Sequence, residues 1–190
     1  MLLPKIADSL NFLSKLGVYK LSNAFKIFTS YYLSKWTGSP IHWGMPISIS
    51  FEPTTHCNLR CPECPSGLRS FERQTGSLNK DLFTRTIDKV SQKLCYLLFY
   101  FQGEPYLNPS FLEMVSYASA KKIYTATSTN AHYLDNETAK KTVESGLDRL
   151  IISIDGTTQE TYEAYRKGGS LEKVLDGTRQ VIKWKKKLKS

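Results

Sequence analysis

The run His56-Cys57-Asn58-Leu59-Arg60-Cys61-Pro62-Glu63-Cys64-Pro65 places three of the chain's four cysteines within eight residues. Three thiolates cannot complete the four-cysteine set that usually holds an iron–sulfur cluster, so one metal corner is left for something other than cysteine. An open position on a metal centre marks a site that does chemistry rather than one that staples a fold. The competing use is a zinc site completed by His56 or, from a distance, by His132. Adjacent residues such as His56 and Cys57 do not easily reach one small tetrahedral ion together, and the spacing is not a paired C-x2-C knuckle. The fourth cysteine, Cys95, lies between Leu94 and Tyr96 and reads as a small core residue.

The spacing C-x3-C-x2-C, followed by Gly103-Glu104-Pro105, resembles the radical S-adenosylmethionine (SAM) enzymes. The resemblance runs from about Ser48 to the end of the chain. It sharpens at Tyr100-Phe101-Gln102-Gly103-Glu104-Pro105-Tyr106-Leu107-Asn108-Pro109, at Thr127-Ser128-Thr129-Asn130 and at Ser153-Ile154-Asp155-Gly156. Together these segments look like the subgroup whose longer members carry a C-terminal SPASM region with further clusters.

The resemblance implies that Cys57, Cys61 and Cys64 bind a [4Fe–4S] cluster whose fourth iron is chelated by SAM. It also implies that Gly103, Glu104 and Pro105 meet the SAM amino group, and that Ser128 and Asn130 lie near its ribose or adenine. Ser153 and Arg166 would meet the ribose and carboxylate. The implied chemistry is reductive cleavage of SAM to a 5′-deoxyadenosyl radical, which takes hydrogen from a peptide, a protein or a biosynthetic intermediate. A flavodoxin- or ferredoxin-like protein would supply the electron. Glu63 stands where an aromatic residue often precedes the third cysteine, a departure that touches packing rather than ligation. The alternatives are a truncated, non-catalytic remnant that binds [4Fe–4S], and a zinc-binding interaction module.

At 190 residues the chain is long enough for one domain with a real core. No stretch approaches the roughly 20 apolar residues of a membrane-spanning helix. The start Met1-Leu2-Leu3-Pro4-Lys5 lacks the apolar run of a secretory signal, and clustered thiols need a reducing compartment, so the expected location is cytoplasmic. The net charge of +9 sits at two ends: five lysines against Asp8 in residues 1–45, and Lys183, Lys185, Lys186, Lys187 and Lys189 near the C-terminus. The segment between is neutral. A nucleic-acid binder usually carries a basic stripe on its working domain, so no nucleic-acid partner is expected.

The elements that must hold the site follow from periodicity. Residues 1–38 read as two helices broken at Gly17, with Ile6, Leu10, Leu13 and Leu16 on one face of the first and Phe25, Phe28, Tyr32 and Trp36 in the second. Basic aromatic helices of this kind can lie on a membrane surface; packing of the apolar faces on the main domain is the expected use. From Pro46 onward, strands at Ile47–Phe51, Leu94–Phe101, Ile123–Ser128 and Leu150–Ile154 alternate with helices. The unbroken apolar run 94–101 predicts a strand buried on both faces. Asn79, Asn108-Pro109, Asp135, the pair Thr157/Glu160 and Ser170 read as helix starts, and Gly146 as a stop.

Single helices between strands give parallel βα units. The expected fold is therefore α/β. A helical extension (1–45) precedes an incomplete (β/α) barrel (46–190) with about four of the usual six units and without the SPASM region. In such folds functional residues gather at the C-terminal ends of the strands, which is where each motif above falls.

Overall fold

Four parallel strands pair in chain order in one sheet, each joined to the next through helices. The computed structural model describes residues 2–190, and Met1 lies outside the described residues. Helices α1 (Leu2–Ser14) and α2 (Val18–Thr37) come first, then β1 (Ser48–Ser50), α3 (Pro65–Leu68), α4 (Lys80–Val90) and β2 (Tyr96–Leu98). A 3-10 turn (Pro105–Leu107), α5 (Phe111–Ala120), β3 (Tyr124–Thr129) and α6 (Asn136–Glu144) follow. The chain continues through β4 (Arg149–Ile152), α7 (Gln159–Tyr165) and α8 (Leu171–Leu188). The ladder aligns Ser48 with Tyr96 and Tyr96 with Tyr124, and Ala126 with Arg149.

Side chains alternate across a strand, and the two sheet faces differ accordingly. Leu97 and Phe99 point to the face covered by α4 and α5, where they join Phe83, Ile87, Phe111, Met114 and Val115 in a fully buried cluster. Leu150 and Ile152 of β4 pack against a second cluster built on Ala139, Tyr162, Val174 and Trp184. The run 94–101 is thus not a strand buried on both faces. Tyr96 and Leu98 are only half-buried, and Phe101, beyond the ladder, is 77% exposed. That correction has a simple cause: α4 and α5 cover one face of the sheet, whereas on the other face Phe12 of α1 packs only on Tyr96 and Tyr124 among the described residues, at the N-terminal ends of β2 and β3.

Three helix starts are as expected. Asn79 accepts from the backbone N–H groups of Asp81 and Leu82, Asp135 from Thr138 and Ser170 from Lys173. Two are not. The capping box joins Thr158 and Thr161 rather than Thr157 and Glu160. Asn108-Pro109 does not open α5, which starts at Phe111. Asn108 is instead a buried clamp, donating to the carbonyls of Pro53 (2.7 Å) and Leu78 (3.0 Å) and accepting from Ser110 N–H (2.9 Å). Clamping two loop carbonyls at once, the Pro53 carbonyl also accepting from Leu78 N–H (2.9 Å), outranks a helix cap.

Gly17 separates α1 and α2, but the faces of both helices are inverted relative to expectation. The polar face docks, at the N-terminal ends of the strands, joined by one apolar side chain, Phe12, on Tyr96 and Tyr124. Asp8 bonds Tyr124 and Arg149, Lys15 bonds Asp148 (2.6 Å), and Asn11 donates to Asp148 (2.7 Å). Lys20 reaches the Lys122 carbonyl, and Asn23 holds the Met45 backbone at both N–H and C=O. Burial would raise the Asp8 carboxyl, but its bonds to Tyr124 and Arg149 hold it below the usual range. Burial lowers the Lys20 pKa. The residues expected to pack, Ile6, Leu10, Leu13, Phe25, Phe28, Tyr32 and Trp36, are between 47% and 85% exposed.

Candidate functional site

The cysteine loop leaves β1 and is pinned at several points before it reaches the rim of the sheet. Thr54 bridges Ser77 in antiparallel fashion, and Thr55 exchanges bonds with Gly76. Arg69 donates to the Cys57 carbonyl (2.7 Å), and Arg60 N–H donates to the Lys167 carbonyl (3.0 Å) beside Arg166. Cys64 immediately precedes α3, with Pro65 as the first helical residue, and Gly67 lies so close to the loop that a Cβ would meet Cys61 N at 2.6 Å.

Gly103 closes the loop from the β2 side. Its φ of +77° is a left-handed conformation, and a Cβ there would collide with the Thr54 carbonyl oxygen and approach that of His56 to 2.9 Å. The neighbouring N–H groups are spent on the loop: Gly103 donates to Ser66 Oγ (2.9 Å) and Glu104 to the His56 carbonyl (2.8 Å). Only glycine permits this contact.

The Glu104 carboxylate is 2% exposed and fully engaged with the chain. It accepts from Thr129 Oγ1 (2.7 Å), Asn130 N–H (2.8 Å) and Tyr106 N–H (3.3 Å), so it bolts the end of β3 to the segment after β2. Burial raises its pKa against the pull of those three donors. Asn130 is wired in the same way. Its side-chain amide donates to Asn58 Oδ1 (2.8 Å) and faces Cys57 Sγ (3.8 Å), while its Oδ1 accepts from His132 N–H (3.1 Å).

Around the three sulfurs, polar side chains arrive from the segments after β2 and β3 and from the C-terminal end of α7. Asn130 faces Cys57, Gln102 Oε1 lies 3.3 Å from Cys64 Sγ, and Arg166 Nη1 lies 3.9 Å from Cys61 Sγ. Arg166 is itself held by Asp155, and Ser128 pairs with Ser153 across β3 and β4 (3.3 Å). Burial pushes the Cys57 and Cys61 thiols up in the metal-free protein.

One cleft at the C-terminal ends of the strands is lined by all three cysteines and by Gly103, Glu104, Ser128, Asn130, Ser153 and Arg166. Every expected site residue is there except Pro105, which is buried as the first residue of the 3-10 turn. Sequence reading missed Gln102, Ser66 and Thr129. Gln102 had a signal, since it adjoins Gly103, whereas Ser66 and Thr129 act through contacts that no local pattern encodes.

The donor set fits a cluster better than a single ion. Among the described residues, no three His, Cys, Asp or Glu side chains converge on one point. A cubane needs no such point, because each thiolate takes its own iron. His132 cannot complete a zinc site as it stands. Its Nε2 accepts from Ser170 N–H (2.9 Å), so Nδ1 carries the proton, which it shares with the Asn130 carbonyl (2.9 Å).

Residues 51–184 match the Radical SAM superfamily. The chain belongs to that superfamily. It is 34% identical over 125 residues to the mycofactocin maturase MftC of Mycobacterium ulcerans, covering 66% of this chain and 33% of the relative. It is 32% identical over 133 residues to the AdoMet-dependent heme synthase of Methanosarcina barkeri, covering 70% and 38%. The solved structure of native anSMEcpe with bound AdoMet superposes with a TM-score of 0.63 at 25% identity, covering 74% of this chain and 42% of that one. The same protein has been solved with AdoMet and a peptide together. The radical SAM chain described here thus spans about a third of the length of the curated relatives it matches.

Proposed function

We propose that this chain carries the cofactor-binding part of a radical SAM enzyme, with Cys57, Cys61 and Cys64 as ligands of a [4Fe–4S] cluster and SAM at the fourth iron. The observation that carries the reading is the single cleft shared by three cysteines and the ends of β2, β3 and β4. When bound, the cluster and SAM would supply one-electron cleavage of a carbon–sulfur bond and a 5′-deoxyadenosyl radical.

The residues of the chain hold and orient. Gly103 lets the backbone pass against the cysteine loop, and Glu104 and Asn130 fix the loop to β3. Asn130 and Arg166 offer hydrogen-bond donors toward thiolates that have lost their protons to iron, whereas Gln102 turns its amide oxygen toward Cys64 and accepts from its thiol. Ser128 and Ser153 present a pair of hydroxyls on the floor of the cleft for the ribose of SAM. Arg166, beside Cys61, is placed for its carboxylate.

The substrate class we assign is a peptide, a protein or a biosynthetic intermediate that would give up a hydrogen atom, with a flavodoxin- or ferredoxin-like protein supplying the electron to the cluster. The relatives support that breadth, since one is named a maturase, one a heme synthase, and a structural neighbour holds a peptide. Anaerobic reconstitution with iron and sulfide, reduction, and assay for 5′-deoxyadenosine test the reading. Formation of that product by the wild-type chain and its loss in Cys61→Ala are expected; its absence from both would refute catalysis.

A second reading has one observation behind it. Among the described residues β4 pairs only with β3, and Ile151 on β4 and Ile154 just beyond it are 41% and 42% exposed, so the cleft is open on that side. A protein that binds a cluster without cleaving SAM would contain iron and sulfide yet make no 5′-deoxyadenosine.

A further inference from the structure

The inverted helices at the other end of the strands form a surface that the cleft does not use. On α2, Leu21, Phe25, Phe28, Tyr32 and Trp36 follow one another at three- and four-residue steps, which places them on one stripe. The opposite stripe, Lys20, Asn23 and Ser30, is the buried one. The same holds for α1, where Ile6, Leu10 and Leu13 face outward while Asp8, Asn11 and Lys15 dock. Trp36 is 85%, Phe25 70% and Phe28 61% exposed, and Trp43 after α2 is 53% exposed. Soluble monomers rarely leave a row of five large apolar side chains, as on α2, exposed along one helix without a partner for it.

The charge around the patch selects the partner. Asp8 is the sole carboxylate of residues 1–45, and it is neutralised by Arg149. Lys26 and Lys35 of α2 are exposed and flank its apolar stripe. The end of α8, with Lys183, Lys185, Lys186, Lys187 and Lys189, lies at the same end of the molecule. Lys185 and Ser190 share a groove with Ala7, Asp8 and Asn11 of α1. Two copies meeting through the patch would bring two sets of these lysines together. An anionic surface would instead accept all of them.

We infer that α1, α2 and the basic end of α8 form a docking face for an anionic phospholipid bilayer. The aromatic stripe would enter the headgroup boundary, and lysines would contact phosphates. The chain does not cross the bilayer: no helix is long and apolar enough. Docking by the N-terminal ends of the strands leaves the cysteine cleft, at their C-terminal ends, facing away from lipid. This inference stands apart from the cofactor chemistry and needs no cluster.

Vesicle flotation of the full chain tests it, with vesicles of phosphatidylcholine alone or mixed with phosphatidylglycerol, at low and high salt. Flotation with the anionic vesicles, falling with salt and at least about tenfold weaker on phosphatidylcholine alone, is expected. Phe25→Ser combined with Phe28→Ser and Trp36→Ser should abolish flotation without changing the thermal melt, since these side chains are exposed. Lys185→Gln, Lys186→Gln and Lys187→Gln together should weaken it on the order of 100-fold, at roughly fivefold for each lysine. A wild-type chain that stays in the aqueous fraction with both vesicle types would overturn the inference. So would light scattering that shows a dimer which the aromatic triple substitution converts to monomer, with no flotation of either form.

Discussion

Replacing Glu104 with glutamine probes the scaffold of the cleft without any cofactor. The wild-type carboxylate accepts from three donors: Thr129 Oγ1 and Tyr106 N–H on one oxygen, Asn130 N–H on the other. An amide keeps one acceptor oxygen and adds an NH2. With that oxygen toward Thr129 and Tyr106, the NH2 faces the Asn130 N–H, donor against donor. Reversed, Asn130 is satisfied and the Thr129 hydroxyl can turn to accept, but Tyr106 N–H loses its partner. Either orientation leaves one buried backbone N–H unmet, at a cost of about 1–3 kcal/mol. For a chain of this size that is a fall in melting temperature of about 3–10 °C. The assay is thermal unfolding of the metal-free protein under reducing conditions, where the two-state approximation is soundest. A Glu104→Gln midpoint within about 1 °C of wild type would refute the view that this carboxylate bolts β3 to the cleft.

Three further outcomes are expected. Gly103→Ala should lower the urea midpoint by the equivalent of at least about 2 kcal/mol, since a left-handed alanine is strained and its Cβ strikes the Thr54 carbonyl; an unchanged midpoint would contradict the close approach. Asp148→Asn breaks the pair with Lys15, whose side chain is 14% exposed against 5% for Asp148, and should cost about 3 kcal/mol while making α1 markedly more sensitive to protease. Half-buried, His132 has a pKa held below its ordinary value by partial loss of solvent. An unfolded histidine takes up its proton near pH 6.5, so the His132 contribution is complete above about that pH and is lost as pH falls toward the lower folded value. Melting temperatures between pH 7.5 and 5.5 should therefore fall more steeply for wild type than for His132→Gln; parallel profiles would count against it.

What the sequence made legible is what local chemistry determines. Cysteine spacing, glycine beside a strand end and alternating apolar runs are properties of short windows, and they led to the cleft and to four parallel strands. What stayed hidden depends on residues far apart in the chain. The apolar rows of α1 and α2 promised packing, yet Asp8, Lys15, Lys20 and Asn23 found specific partners at the base of the sheet and turned those rows outward. Asn108 had the look of a helix cap, but two loop carbonyls from β1 and α4 approaches claimed its amide. Glu104 suggested a charge beside a ligand, and its partners turn out to be three donors of the chain itself. Strand lengths were overestimated because Tyr100 and Phe101 continue an apolar run past the last ladder pair, into the cleft.

Mössbauer spectroscopy of the chain reconstituted anaerobically with 57Fe, recorded with and without SAM, decides whether three cysteines here leave an iron open to SAM. A cubane signature in which about one iron in four changes its isomer shift on adding SAM is predicted, together with its loss in Cys57→Ala. Tightly held zinc with no cubane signal, or a cubane indifferent to SAM, would contradict it.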